Sequence, residues 1–158
     1  MNQLIELFTQ LAQIDSPSGE ESQVSKFVTN YLKELGLEPE VDQNNMIYCR
    51  VGNKPNPTLF CAHMDTVEPG RGIKVLVDEE WIKSDGTTIL GGDNKVSLAV
   101  ILFNISKLIK SKTDLNIELI FSVREETDSG VQQFNTAKLQ SKVGFVFEND
   151  LYFTDLQT

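Results

Sequence analysis

Histidine is nearly absent from this chain: one occurs among 158 residues, at position 63. A site built from several imidazoles is excluded within these residues, so His63 needs partners of another kind to do chemistry. Cysteine is scarce as well. Cys49 and Cys61 have no C-x-x-C spacing and fall in apolar, strand-like stretches. They read as two buried thiols in a reducing cytosol, not as a disulfide framework. Positive charge is outnumbered: 14 Lys and Arg stand against 23 Asp and Glu, giving a formal charge of −9 and a pI near 4.6. That balance argues against a phosphate-binding surface, so neither nucleic acid nor an anionic membrane is an expected partner. No run approaches the roughly 20 apolar residues of a membrane span. The opening MNQLIELFTQ lacks the basic and apolar regions of a secretory signal, and the expected location is the cytoplasm.

What is present suits a folded domain. Apolar residues make up 40% and charged residues 23%, an ordinary globular balance, and 158 residues suffice to bury most of one domain's surface. Leu4, Leu7, Phe8 and Leu11 follow helical spacing. After the turn IDSPSGEES, Ser18 or Gly19 is placed to cap a second helix with the stripe Val24, Phe27, Val28, Leu32 and Leu35, stopped by Gly36. MIYCRV (46–51) and TLFCA (58–62) read as strands joined by the turn-forming GNKPNP. IKVLV and WIKS suggest a hairpin around Asp78, Glu79 and Glu80. A helix is expected from Asn94 to about Ile109, a buried strand over NIELIFSV (116–123), a weaker helix from Val131 to Leu139, and a last strand over VGFVF (143–147). Strands alternating with helices imply an α/β fold: a partly parallel, mixed sheet flanked by helices. No repeat, low-complexity tract or interdomain linker interrupts it.

The acidic residues fall at telling places in this layout. His63 and Asp65 follow the end of TLFCA, Glu125 and Glu126 the end of NIELIFSV, and Glu148 the end of VGFVF. Asp93 sits where the glycine turn of ILGGDNK enters a helix. Singly, each has an ordinary explanation: a core histidine, a turn aspartate, a helix cap, a solvated pair of glutamates, a loop residue. Jointly they are harder to explain that way, because open α/β sheets bind ligands outside the carboxyl ends of their strands. If these strands are parallel neighbours, one imidazole and several carboxylates converge on one crevice. Their mutual repulsion is relieved by one or two divalent cations. Imidazole with carboxylates suits zinc, and manganese or cobalt would also accept the set. Asp65 lies too close in sequence to His63 to share its metal easily. It is better placed to hold the other ring nitrogen. In the pair Glu125–Glu126, one carboxylate can bind metal while the other takes a proton from water.

The segments CAHMDTVEPG, KSDGTTILGGDNKVSLAV, SVREETDSGVQQF and FVFEND resemble, in order and spacing, the dizinc metallopeptidases that include peptidase T, the ArgE/DapE deacylases and carboxypeptidase G. SDGTTILGGDNK points to the peptidase T-like branch, and the similarity runs from LFTQLAQIDSPSGEES onward. The resemblance implies that His63 and Glu148 bind the first zinc, Asp93 bridges two zincs and Glu126 binds the second. It further implies that Asp65 orients His63 and that Glu125 is the general base. Where the family often has Asp after the bridging aspartate, this chain has Asn94. The activity implied is removal of the N-terminal residue from short peptides by a dizinc-activated water. Hydrolysis of N-acyl amino acids, or a non-catalytic metal-binding module, are the alternatives. Family members continue into a lid and dimerisation domain and a returning catalytic segment with a second histidine. On that comparison residues 1–158 are expected to be the N-terminal part of the catalytic domain, a truncated and inactive fragment whose incomplete sheet favours self-association.

Overall fold

The computed structural model describes residues 2–127 and 130–148. Helix α1 (Gln3–Ala12) starts where the Asn2 side chain accepts from the Leu4 N–H at 3.0 Å, and it buries Leu7, Phe8, Leu11 and Ala12. Helix α2 (Ser22–Glu34) buries Val24, Val28 and Leu32, and Gly36 follows its end at φ +79°, in the left-handed region. The expected cap at Ser18 or Gly19 is not where α2 begins. Glu21 occupies the N-cap position, and Ser18, three residues earlier, donates its hydroxyl to Asp65 at 2.6 Å. Helix α3 (Gly92–Lys110) buries Leu98, Ile101, Leu102 and Ile105.

Among the described residues there are seven strands: β1 (Glu40–Val41), β2 (Ile47–Val51), β3 (Thr58–His63), β4 (Val75–Val77), β5 (Ile82–Ser84), β6 (Ile117–Ser122) and β7 (Val143–Val146). β4 and β5 form the expected hairpin, with the Asp78 carboxylate accepting from the Glu80 and Trp81 N–H groups. The other five make one mixed sheet in the order β1-β2-β6-β3-β7. β6 runs parallel to β3, with Thr58 opposite Ile117 and His63 opposite Ser122. β7 is parallel to β3 on its other side, with Cys61 opposite Val146. β2 is antiparallel to β6, and the two-residue β1, too short to leave a periodic signal, pairs with β2.

The sheet's two faces are covered differently. Ile117, Leu119 and Phe121 of β6 join Cys49, Val51 and Ala62 and the apolar stripes of all three helices in the main core. A fully buried side chain of this kind stabilises by roughly 1.5–3 kcal/mol, so this helix-covered face dominates the fold. On the opposite face Met46, Tyr48 and Ile120 pack with Phe134 and Leu139. The weaker helix expected at 131–139 is two short 3-10 turns, Gly130–Gln133 and Thr136–Lys138. The segment is shaped by the sheet beneath it. Phe134 packs beside Tyr48 with its ring tilted by 41°, and the buried Glu118 carboxylate accepts from the Gln140 and Ser141 N–H groups and from the Tyr48 hydroxyl. No helix among the described residues is long and apolar enough to cross a membrane.

Candidate metal centre

Parallel pairing brings the ends of β3, β6 and β7 to one edge of the sheet, and the acidic residues meet there. His63, the last residue of β3, is buried, and its Nε2 faces outward. Around that nitrogen lie Asp93 Oδ1 at 3.0 Å, Glu148 Oε2 at 3.6 Å and Glu125 Oε2 at 4.0 Å. Asp93 reaches this point because Gly91, at φ +72°, turns the chain into α3, where a side chain would be strained. Asp93 and Asn94 themselves depart from helical geometry, and the peptide between them is cis. The buried Asn94 has its own task. Its Nδ2 donates to the Phe147 carbonyl at 2.6 Å, tying the start of α3 to the residue before Glu148. An ionised Asp at this position could not donate that bond.

Two groupings of donor atoms result, each within 4.8 Å: His63 with Asp93 and Glu148, and His63 with Glu125 and Glu126. The residues that the sequence singled out are thus brought together, with Glu126 grouped with His63 and Glu125 and not with Asp93. One imidazole nitrogen and two carboxylate oxygens around one point form a donor set that fits a divalent cation such as zinc.

The other ring nitrogen is held from behind. His63 Nδ1 lies 3.0 Å from the main-chain carbonyl of Asp65, with the Asp65 carboxylate at 3.4 Å. Either acceptor places a proton on Nδ1 and turns Nε2 towards the acids. The Asp65 carboxylate has further work that sequence reasoning missed. It accepts from the Glu125 N–H and the Glu126 N–H at 3.0 Å each, and from the Ser18 hydroxyl.

These contacts set the electrostatics. Burial alone would hold the His63 imidazole low, but Asp65, Glu148 and Asp93 more than offset it and raise it to about 9. Burial likewise opposes ionisation of Asp65, yet His63, Ser18 and the two N–H donors bring it down to about 2. Glu126 is pushed up, by burial first and then by Asp93 and Glu125. The surrounding acids therefore favour the protonated imidazole, and a cation binding at Nε2 would compete with a proton there. The cysteines take no part: burial pushes both thiols up to about 11, far from thiolate chemistry at neutral pH.

Beneath the site lies a buried lysine. Lys95 Nζ donates to the Ser16 hydroxyl, which donates in turn to the Met64 carbonyl at 2.9 Å, between His63 and Asp65. Burial pushes Lys95 down to about 7, against the attraction of Asp65, Glu21 and Asp15. Ser16, Ser18, Glu21 and Lys95 were legible only as turn residues or as a helix surface. Their nearest signal was the inclusion of SPSGEES and GGDNK in the resembling segments.

No protein-family model matches the chain. It is 33% identical to the YqjE protein of Bacillus subtilis over 93% of its own length. It is 26% identical to a peptidase T of Geobacillus sp. over the same share. The crystal structure of aminopeptidase PepT from Bacillus cereus superposes with a TM-score of 0.87 at 31% identity, covering 94% of this chain. The chain is a homologue of peptidase T. It spans 43% of YqjE and of PepT and 48% of the Geobacillus peptidase T, about half the length of the relatives it matches. Against the peptidase T fold, the clustered acids stand at the strand ends of a sheet whose architecture this chain shares.

Proposed function

We propose that these 158 residues supply the metal-binding part of a cytoplasmic peptidase T-like aminopeptidase acting on short peptides. The observation that carries the proposal is the convergence of Asp93, from the start of α3, with Glu125 and Glu148 within 4.0 Å of one buried imidazole, at the ends of parallel strands. Homology to peptidase T supports the reaction class. In this reading His63, Asp93 and Glu148 would hold one zinc, and Asp93 with Glu126 would hold a second, although the donor atoms of Glu126 group with those of His63 and Glu125 before any metal is bound. When bound, such cations polarise a carbonyl and make a nearby water more acidic. Glu125, about half exposed and facing the cluster, accepts the proton of the water that attacks the peptide carbonyl and returns it to the departing amine. Asp65 orients His63 and holds the turn that carries Glu125.

The two sites are unequal within this chain. One has three protein donors, the other only Asp93 and Glu126 besides any shared solvent. The 158-residue chain is therefore expected to bind one zinc tightly and to show negligible tripeptide cleavage. Elemental analysis after gel filtration, with a dipeptide, tripeptide and N-acyl amino acid panel, checks both. Two zincs at full occupancy without excess metal would contradict the assignment of ligands. Turnover of N-acyl amino acids in preference to peptides would favour the deacylase reading.

The sheet edge supports a second expectation. β7 is an edge strand among the described residues, and its Val143, Phe145 and Val146 are 61%, 53% and 65% exposed. An apolar edge of this kind pairs readily with another strand. The chain is expected to self-associate with rising concentration in sedimentation experiments, and Val146→Lys to shift it towards monomer.

A further inference from the structure

Glu21 is 1% exposed and stands at the N-cap of α2, yet makes no capping bond to its own helix. Its Oε1 accepts from the Gly19 N–H at 2.7 Å and, across the fold, from the Arg124 N–H at 3.0 Å. The next two N–H groups of the same turn, those of Glu125 and Glu126, end on the fully buried Asp65 carboxylate. Three successive backbone donors are thus gripped by two buried acids. Arg124 is left-handed at φ +57°, the bend that turns the chain out of β6 and towards His63.

We propose that Glu21 is a positioning residue for the Glu125–Glu126 pair: by fixing the Arg124 N–H it sets the turn from which both carboxylates reach the metal cluster. Its Oε1 is taken by two main-chain donors, and Glu21 is not among the residues grouped around His63. Asp65 alone would hold the second and third N–H groups of the turn while its first could swing. The inference rests on the reading in which Glu126 binds the second metal.

The test is a cobalt(II) titration of the 158-residue chain, following the visible absorption of the tight first step and of the weaker second step at excess metal. Glu21→Asp keeps the charge but draws the acceptor back by one methylene. Glu21→Gln keeps the acceptor and removes the charge. Glu21→Asp is expected to weaken the second step by about 10–100-fold, the range for partners that orient a ligand, while leaving the first step unchanged. Glu21→Gln is expected to stay near the wild type. Glu126→Ala serves as the reference for losing the second step itself. If Glu126→Ala weakens that step and Glu21→Asp does not, positioning by Glu21 is overturned while the site reading stands. Equal losses in Glu21→Asp and Glu21→Gln also overturn it, because charge and not acceptor placement would then matter. A wild-type chain with no second step, or one indifferent to Glu126→Ala, overturns both the inference and the reading beneath it.

Discussion

Glu125→Gln is expected to cost at least about 100-fold in kcat, the lower range for loss of a general base, while leaving bound metal unchanged. The chain spans about half the length of its relatives, so the measurement uses a chimera that joins these residues to the C-terminal half of a peptidase T. The substitution is nearly isosteric and keeps the backbone N–H that Asp65 holds, so the turn 124–126 has no reason to move. What it removes is an acceptor for the proton of the attacking water. Glu125 lies 4.0 Å from His63 Nε2, further than Asp93 or Glu148, as suits a group that faces the reacting water and is not a ligand of the first metal. Metal content by elemental analysis should therefore match the parent chimera. A chimera whose peptide turnover survives Glu125→Gln would remove Glu125 from the mechanism. Loss of metal together with activity would make it a ligand instead.

The parts of this site that could be read from sequence are those that strand periodicity locates. His63, Glu125 and Glu148 each follow a stretch whose apolar pattern marks a strand, and the rule for parallel sheets places such ends together. Asp93 was found through its glycine turn. What could not be read is the support. Glu21 meets Arg124, Ser18 meets Asp65 and Lys95 meets Ser16 across 103, 47 and 79 positions of chain, distances over which no local pattern carries information. Ser18 is a natural cap by residue type, but it stands three residues before the Glu21 N-cap, and its hydroxyl donates to the buried Asp65 carboxylate. The segment 130–139 fails as a helix for a related cause. Its conformation follows from the aromatic ring of Tyr48 and the charge of Glu118, both on strands remote in sequence. The fold class was therefore legible in detail, the clustered side chains by their placement, and the groups that hold them only in three dimensions.

The same distinction between reactive and supporting groups predicts unequal effects at His63 and Asp65. His63→Ala removes the only imidazole of the chain and the atom about which Asp93 and Glu148 are gathered. Two half-exposed carboxylates then remain at the first site, a poor set for zinc, which favours nitrogen and sulfur donors. Tight zinc binding should be abolished in a competition titration against a chelating dye. Asp65→Ala leaves all three first-site donors in place. It also leaves the main-chain carbonyl of residue 65, at 3.0 Å the nearer acceptor for His63 Nδ1, so the imidazole keeps one tether and its tautomer. Losing the carboxylate removes the second tether and the charge that raises the basicity of His63. The expected cost is about 10–100-fold in zinc affinity, as for other partners that orient a metal-bound histidine. The Glu125 and Glu126 N–H groups lose their acceptor in the same variant, so exchange of these two amides with solvent should quicken even without metal. Abolition of binding by both substitutions would make Asp65 a ligand in its own right. An unchanged affinity in Asp65→Ala would leave the main-chain carbonyl as the sole orienter of His63.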